Sequence, residues 1–325
     1  MTMMKKFAKA LVCVLPFFIL AGCPDMALWK TTVSIAHPVY AGGYSANSAG
    51  VQVAGYWKNG TWTGLMPLDA SHDSVVYSLV VSGSDVYAGG YSINSSGKKV
   101  PGYWINGAWI GLPRLDPSHD SVVYSLVVSG SDVYAGGYSI DSTGVQVPGY
   151  WIHGAWIGLP RLDAAQDAEV LSIVVSGSDV YSGGFCVSSS SVRVAGYWKN
   201  VTWNGLKPLD ATKESVVSSI VVSGSVFYAV GHSDNSALVA VPGYWKKSLL
   251  NTELPVVWNG LPPLDAAYDS VVQSLVLNWG DVYAAGWSKN SSNVVVPCCW
   301  KNRVWTGLTP LDASHDSFIS SLFVQ

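Results

Sequence analysis

A unit of 47 residues recurs along most of the chain. It is clearest in Asp73–His119 and Asp120–Gln166, which differ at eight positions. Tyr40, Tyr87, Tyr134, Tyr181 and Tyr228 stand 47 apart, and Tyr283 follows after 55 because one unit carries an eight-residue insertion, Lys247–Leu254. Such a period constrains the fold more than composition does. Each unit is one supersecondary module that buries its apolar face only against its neighbours.

Within Asp73–His119 the pattern predicts four short antiparallel strands, a to d. Ser74–Ser82 and Val86–Ser92 are β-rich runs split by Ser82-Gly83-Ser84-Asp85, and Asn94-Ser95-Ser96-Gly97 links them to Lys99–Ile105. Asn106-Gly107 then separates Lys99–Ile105 from Ala108–Leu112. Asn-Gly between two such runs is a strong hairpin signal, because both central residues of a type I′ turn need positive φ. Pro113–His119 closes the unit, and no helical periodicity appears after the N-terminal segment. Four strands per repeat match a β-propeller blade; a stacked β-solenoid is the competing architecture, but its coils are shorter and lack hairpins.

Complete units fall at 73–119, 120–166, 167–213, 214–268 and 269–315. Residues 33–72 supply strands b, c and d of a further unit, and 316–325 supply a lone strand a. The expectation is an all-β, six-bladed propeller of four-stranded antiparallel blades over 33–325, closed by pairing the C-terminal strand with the N-terminal strands, which removes free sheet edges. Alternatively, Val33-Ser34-Ile35 forms the first strand a and the last ten residues begin a truncated blade.

These residues resemble kelch-type repeats. Val86-Tyr87-Ala88-Gly89-Gly90 is similar to that family's apolar strand ending in a glycine pair, Tyr103 and Trp109 stand six apart, and Leu112-Pro113 follows. Gly136-Gly137, Tyr150 and Trp156 repeat the pattern. The chain departs from it at Trp104, at Val230-Gly231 and Ala285-Gly286, and at Cys299 in place of the tyrosine. The resemblance implies a propeller.

Lys5, Lys6 and Lys9 precede the apolar run Ala10–Ala21 and then Leu20-Ala21-Gly22-Cys23. A basic start, a short apolar run and small residues before a cleavage point read as a secretory signal, too short for a comfortable membrane span. The tetrapeptide resembles the lipobox of bacterial lipoproteins. That resemblance implies a signal at 1–22, lipid attachment at Cys23, a tether at 23–32 and anchoring in the bacterial cell envelope, since two or three acyl chains hold a protein stably on a membrane. Loss of 1–22 removes three of 18 Lys and Arg and none of 21 acids, taking the net charge from −3 to about −6, which argues against a nucleic-acid partner. Cys186, Cys298 and Cys299 make neither a disulfide framework nor a zinc motif; Cys298-Cys299 reads as two buried thiols, with a strained vicinal disulfide as the alternative.

Two tryptophan series, beginning at Trp57 and Trp62, read as core between blades; an outward-facing series would make a stacking platform for sugars. The d–a connections carry repeated acids, Asp69 and Asp73, Asp116 and Asp120, Asp163 and Asp167, Asp210 and Glu214, Asp265 and Asp269, and Asp312 and Asp316. They would ring one propeller face as a ligand-binding or cation-attracting surface, with His72, His119 and His315 nearby. Alternatively, each Asp caps its own turn, the reading favoured by its occurrence in every unit.

Catalysis needs asymmetry, which lies only where copies diverge: Phe185-Cys186-Val187 with Arg193, His232 with Asp234 in the fifth b–c link, and Trp279, Trp287, Lys289 and Cys298-Cys299. His232 in a polar link reads as solvated. No phosphate loop, nucleophile elbow or paired-histidine motif is present. The expected function is therefore a membrane-anchored, non-enzymatic binding or scaffolding module without a cofactor or resident metal. Its partners would be membrane lipid through Cys23 and an envelope protein or glycan on one face. A propeller hydrolase or sugar-binding protein using blades four to six, and a purely structural surface protein, are the alternatives.

Overall fold

The structure is a computed structural model that describes residues 38–250, 255–319 and 322. The signal segment, Cys23, the tether and Val33-Ser34-Ile35 lie outside the described residues. Pro38–Gln325 is one compact unit. Its described secondary structure is all β: six antiparallel sheets in chain order, arranged as propeller blades. Blade I has three strands, β1 (Tyr40–Ala46), β2 (Gln52–Lys58) and β3 (Thr61–Gly64). Blade II has four, β4 (Ser74–Ser82), β5 (Asp85–Ile93), β6 (Lys99–Ile105) and β7 (Ala108–Gly111). Blades III to VI repeat this as β8–β11 (121–158), β12–β15 (168–205), β16–β19 (215–260) and β20–β23 (270–307).

The turns form as the sequence demands. Asn106 and Gly107 have φ of 50° and 92°, and Asn59-Gly60 and His153-Gly154 share the double positive φ of the type I′ hairpin. The a–b and c–d turns lie at one end of each blade, here the hairpin end; the b–c links and d–a connections lie at the other, the link end.

Strand a bulges in each complete blade, between Val76 and Ser78 in blade II and at the matching places in blades III to VI. The bulge explains the glycine pair. A Cβ on Gly90 would lie 1.9 Å from the Val75 carbonyl oxygen, and Gly231 and Gly286 meet the same obstacle at 2.0 Å. The first glycine faces only a side chain of the next blade, Leu126 in the case of Gly89. Hence Val230 and Ala285 replace the first glycine while the second stays.

Blades are held together by tryptophan. Trp104, Trp151, Trp198, Trp245 and Trp300 are fully buried, and each Nε1–H donates to a carbonyl of the preceding blade, on Met66, Pro113, Pro160, Lys207 and Pro262, at 2.7–2.8 Å. Each also packs on the strand-d tryptophan at 4.4–4.5 Å in blades II to V. Burying such a side chain contributes about 2–3 kcal/mol. These five do not form a sugar platform, because their faces are consumed by packing. Buried serines add polar ties: Ser74 Oγ accepts from the Ala54 N–H and Ser92 Oγ from the Leu68 N–H.

The two ends differ from the rest. Among the described residues β1 pairs only with β2, and no inner strand lies on its other edge. The C-terminal segment lies against blade VI in the position of a following strand a. Asp316 Oδ1 accepts from the Val295 N–H and Ser274 Oγ from the Leu322 N–H, as Ser78 Oγ does from Leu126. Its expected pairing with β1 is not among the described pairs.

Candidate polar site at the link end of blades IV to VI

The predicted acidic residues divide into two structural roles. Asp69, Asp116, Asp163, Asp210, Asp265 and Asp312 each accept through Oδ1 from the backbone N–H two residues on, at 2.7–2.9 Å. In Asp69, Asp116 and Asp312 the neighbouring serine hydroxyl donates as well, holding the carboxyl below its ordinary range. The second acids reach across a blade boundary. Asp73, Asp120, Asp167, Asp269 and Asp316 accept from the backbone N–H groups of Gln52, Lys99, Gln146, Ala240 and Val295. Every Asp of the series thus has an oxygen committed to a turn or a clip. His72, His119 and His315 lie beside the first acids through Nδ1, 3.0–3.6 Å away. Among the described residues no group of three His, Cys, Asp or Glu side chains is placed to hold a metal.

The informative chemistry lies where the copies diverge. Glu169 occupies the second position of β12, where blades II, III, V and VI carry Val75, Val122, Val216 and Val271. Burial pushes its carboxyl up to about 7, Arg193 opposes the rise, and Asp167 adds to it. Arg193 opens strand c of blade IV, packs over Phe185 at 5.0 Å and stands 3.7 Å from Glu214. Glu214 replaces the clip aspartate, so an exchangeable ion pair takes the place of a backbone tie. His232 holds the strand position of Tyr91, Tyr138 and Phe185. Burial first, then Arg193, lowers it to about 4, against an opposing pull from Asp269. Its Nδ1 is buried without a partner. Asp234, two residues on and on the same strand face, has a buried Oδ1 without a partner and is raised by burial, Glu214 and Asp269. Lys289 closes the group with 3.2 Å to Asp269.

His232 and Asp234 were expected in a polar link; both lie in the strand Val226–Asp234, and His232 is half-buried rather than solvated. Strand b runs two residues further than the polar composition suggested, because its edge pairs with strand c through Asp234 and Ala240. Glu169 was missed altogether. Its signal was present as a single charge inside an otherwise apolar strand position.

Tyrosines border the group on blades II and III. Tyr77 and Tyr124, the bulged residues of their strands, lie 5.3 Å apart, and Tyr124 and Tyr138 lie 5.9 Å apart. Burial and the nearby Glu169 raise the phenols of Tyr124 and Tyr138 well above the usual range, and Tyr91 is raised to about 12. The link end therefore changes character around the blades, with neutral phenols on II and III and mixed charge on IV to VI.

Cys186 takes the place of a buried serine and Cys298 lies buried in strand c of blade VI; burial raises both thiols to about 12. Cys299 is half-buried, and all three are free.

No protein-family model matches the chain, and no curated protein matches it. Among solved structures, that of YjhT is similar with a TM-score of 0.43 and 10% identity, over 70% of this chain and 82% of that one.

Proposed function

We propose that this chain is an envelope lipoprotein, anchored through acylated Cys23, that acts as a non-enzymatic binding module through the link end of blades IV to VI. The observation that supports this reading is the group Glu169, Arg193, Glu214, His232 and Asp234, in which two buried polar atoms have no protein partner. Unpartnered buried polar atoms cost stability. Two of the five such atoms among the described residues belong to His232 and Asp234, where the repeat is broken, and this supports a surface kept for recognition. The chain enters β1 at the hairpin end, since the Val39 N–H donates to Asn59 Oδ1 in the c–d turn. The recognition surface therefore lies at the end of the blades opposite the chain's entry into β1.

The mechanism is exchange of partners. Arg193 and Glu214, both about half exposed, lie far enough apart to separate onto a ligand carboxylate and a ligand donor. His232 Nδ1 and Asp234 Oδ1 would supply the shorter-range contacts of an envelope protein or glycan. Affinity capture from bacterial envelope extract tests this, comparing the native chain with Glu169→Val plus His232→Tyr. Both substitutions restore residue types that other blades carry at these positions, so the fold is kept. Loss of the captured partner supports the reading, and identical capture by both chains defeats it.

The enzymatic alternative draws on the same group, because burial keeps His232 unprotonated at neutral pH and raises the carboxyl of Asp234, two residues on along the same strand face. A glycan and hydrolase screen with loss of turnover in His232→Ala would move the assignment there.

A further inference from the structure

The hairpin end of blades V and VI carries features that the polar site does not use. Trp279 sits in the a–b turn of blade VI at the position filled by Gly83, Gly130, Gly177 and Gly224 in blades II to V. Its φ is 49°, within the left-handed region of those glycines. A tryptophan there is strained, and the strain is not offset by burial, because the side chain is 99% exposed. Folding gains nothing from this residue at this place.

Its surroundings share one chemistry. Trp279 borders a shallow hollow of about 200 Å³ with Val226, Tyr228 and Leu277. Leu250, within the blade V insertion on the same end, is 84% exposed. In blades II, III, IV and VI strand b opens with Asp85, Asp132, Asp179 and Asp281, and Lys199 and Lys301 pair with theirs at 2.8 and 3.0 Å. Blade V has Val226 instead. Lys246 consequently faces no carboxylate at that position and lies over the Tyr228 ring at 5.4 Å, with Lys247 following it. Exposed tryptophan and leucine beside Lys246 and Lys247 fit the interfacial layer of an anionic bilayer, where indole rings settle at headgroup depth and basic side chains meet lipid phosphates.

The position of the chain's entry selects this occupant. Pro38 and Val39 join blade I at the hairpin end, beside Asn59. The stretch from Cys23 to Pro38 reaches at most roughly 50 Å when extended. On the reading that Cys23 is acylated, the lipid-bearing stretch joins the propeller at this end.

We propose that the hairpin end of blades V and VI is a membrane-contacting surface, with Trp279 and Leu250 entering the interfacial layer of an anionic bilayer and Lys246 and Lys247 meeting its headgroups. The contact fixes which way the link-end site points.

The test uses the compact unit 38–325, which lacks Cys23, in co-sedimentation with vesicles of phosphatidylcholine alone or with about a third phosphatidylglycerol. The expected result is binding to the anionic vesicles that falls about fivefold or more in Trp279→Gly and in Lys246→Gln plus Lys247→Gln. Trp279→Gly restores the residue of the other blades, so its thermal midpoint is expected to hold or rise while binding is lost. Absence of binding by the native unit, or equal binding by Trp279→Gly, overturns the proposal. Acylation of Cys23 is read separately, from the mass of the N-terminal peptide of the full chain extracted from membranes, so the two readings fail independently.

Discussion

Gly43→Ala reports on whether blades I and VI close into a ring. As described, a Cβ on Gly43 meets only Trp57 Cζ3, at 3.5 Å, an ordinary contact. In an open chain the substitution is then neutral or stabilising by about 0.4–1 kcal/mol, through the lower entropy of the unfolded state. Closure reverses the sign. The repeat aligns Gly43 with Gly90 and Phe318 with Val75, so an inner strand 317–325 paired with β1 would place the Phe318 carbonyl where Val75 O stands, 1.9 Å from the Cβ of an alanine. Relief needs a backbone shift that costs roughly 3 kcal/mol. For a unit of this size that is a fall in midpoint on the order of 6 °C or more.

Three unmatched groups support closure. Tyr44 is 47% exposed where Tyr91 is 7%, and Leu308 is 38% exposed where its counterpart Leu261 is buried. The Trp57 Nε1–H finds no acceptor among the described residues, and the Thr309 carbonyl occupies the acceptor position of the series that ends at Pro262. Thermal unfolding of Gly43→Ala beside Gly90→Ala is the assay. The pair Ser45→Cys and Ser317→Cys resolves the topology, since their counterparts Ser121 and Ser139 bring their Oγ atoms within 2.7 Å. A cross-linked monomer means closure within one chain, and a cross-linked dimer means closure between copies. A neutral Gly43→Ala together with no cross-link would refute the reasoning.

Glu169, raised to about 7, binds more protons folded than unfolded between about 4.5 and 7, so its contribution to stability falls as pH rises through that window. Glu169→Val should remove that slope and raise stability at pH 8 by on the order of 2 kcal/mol, read by urea denaturation at pH 4 and pH 8. His232, lowered to about 4, acts oppositely: stability is lost as pH falls from about 6.5 toward 4, and His232→Tyr should flatten that limb. Trp198→Phe forfeits the bond to the Pro160 carbonyl and should cost about 1–3 kcal/mol by chemical denaturation. Cys186 and Cys298 should resist iodoacetamide at pH 8 in the folded protein and react on unfolding, read by peptide mass.

The 47-residue period by itself determined the blade. The order of the four strands, the type I′ turns at Asn-Gly and the burial of the first tryptophan series follow from local pattern, because each unit solves the same packing problem against a similar neighbour. The first acid of each pair was also legible as a turn residue, since a residue present in every unit answers a need of every unit, whereas the second acid's clip across the blade boundary was not. The repeat exposed most of its own exceptions, among them Arg193 and His232, but not which of them come together. Glu169, Arg193, Glu214 and His232 are scattered over 64 positions of sequence and become one site only because adjacent blades bring the starts and ends of their strands to the same end. The meaning of Trp279 likewise required tertiary structure. In sequence it stands out as a departure from the repeat, outside both tryptophan series; its exposure and its left-handed backbone are what separate it from a core residue.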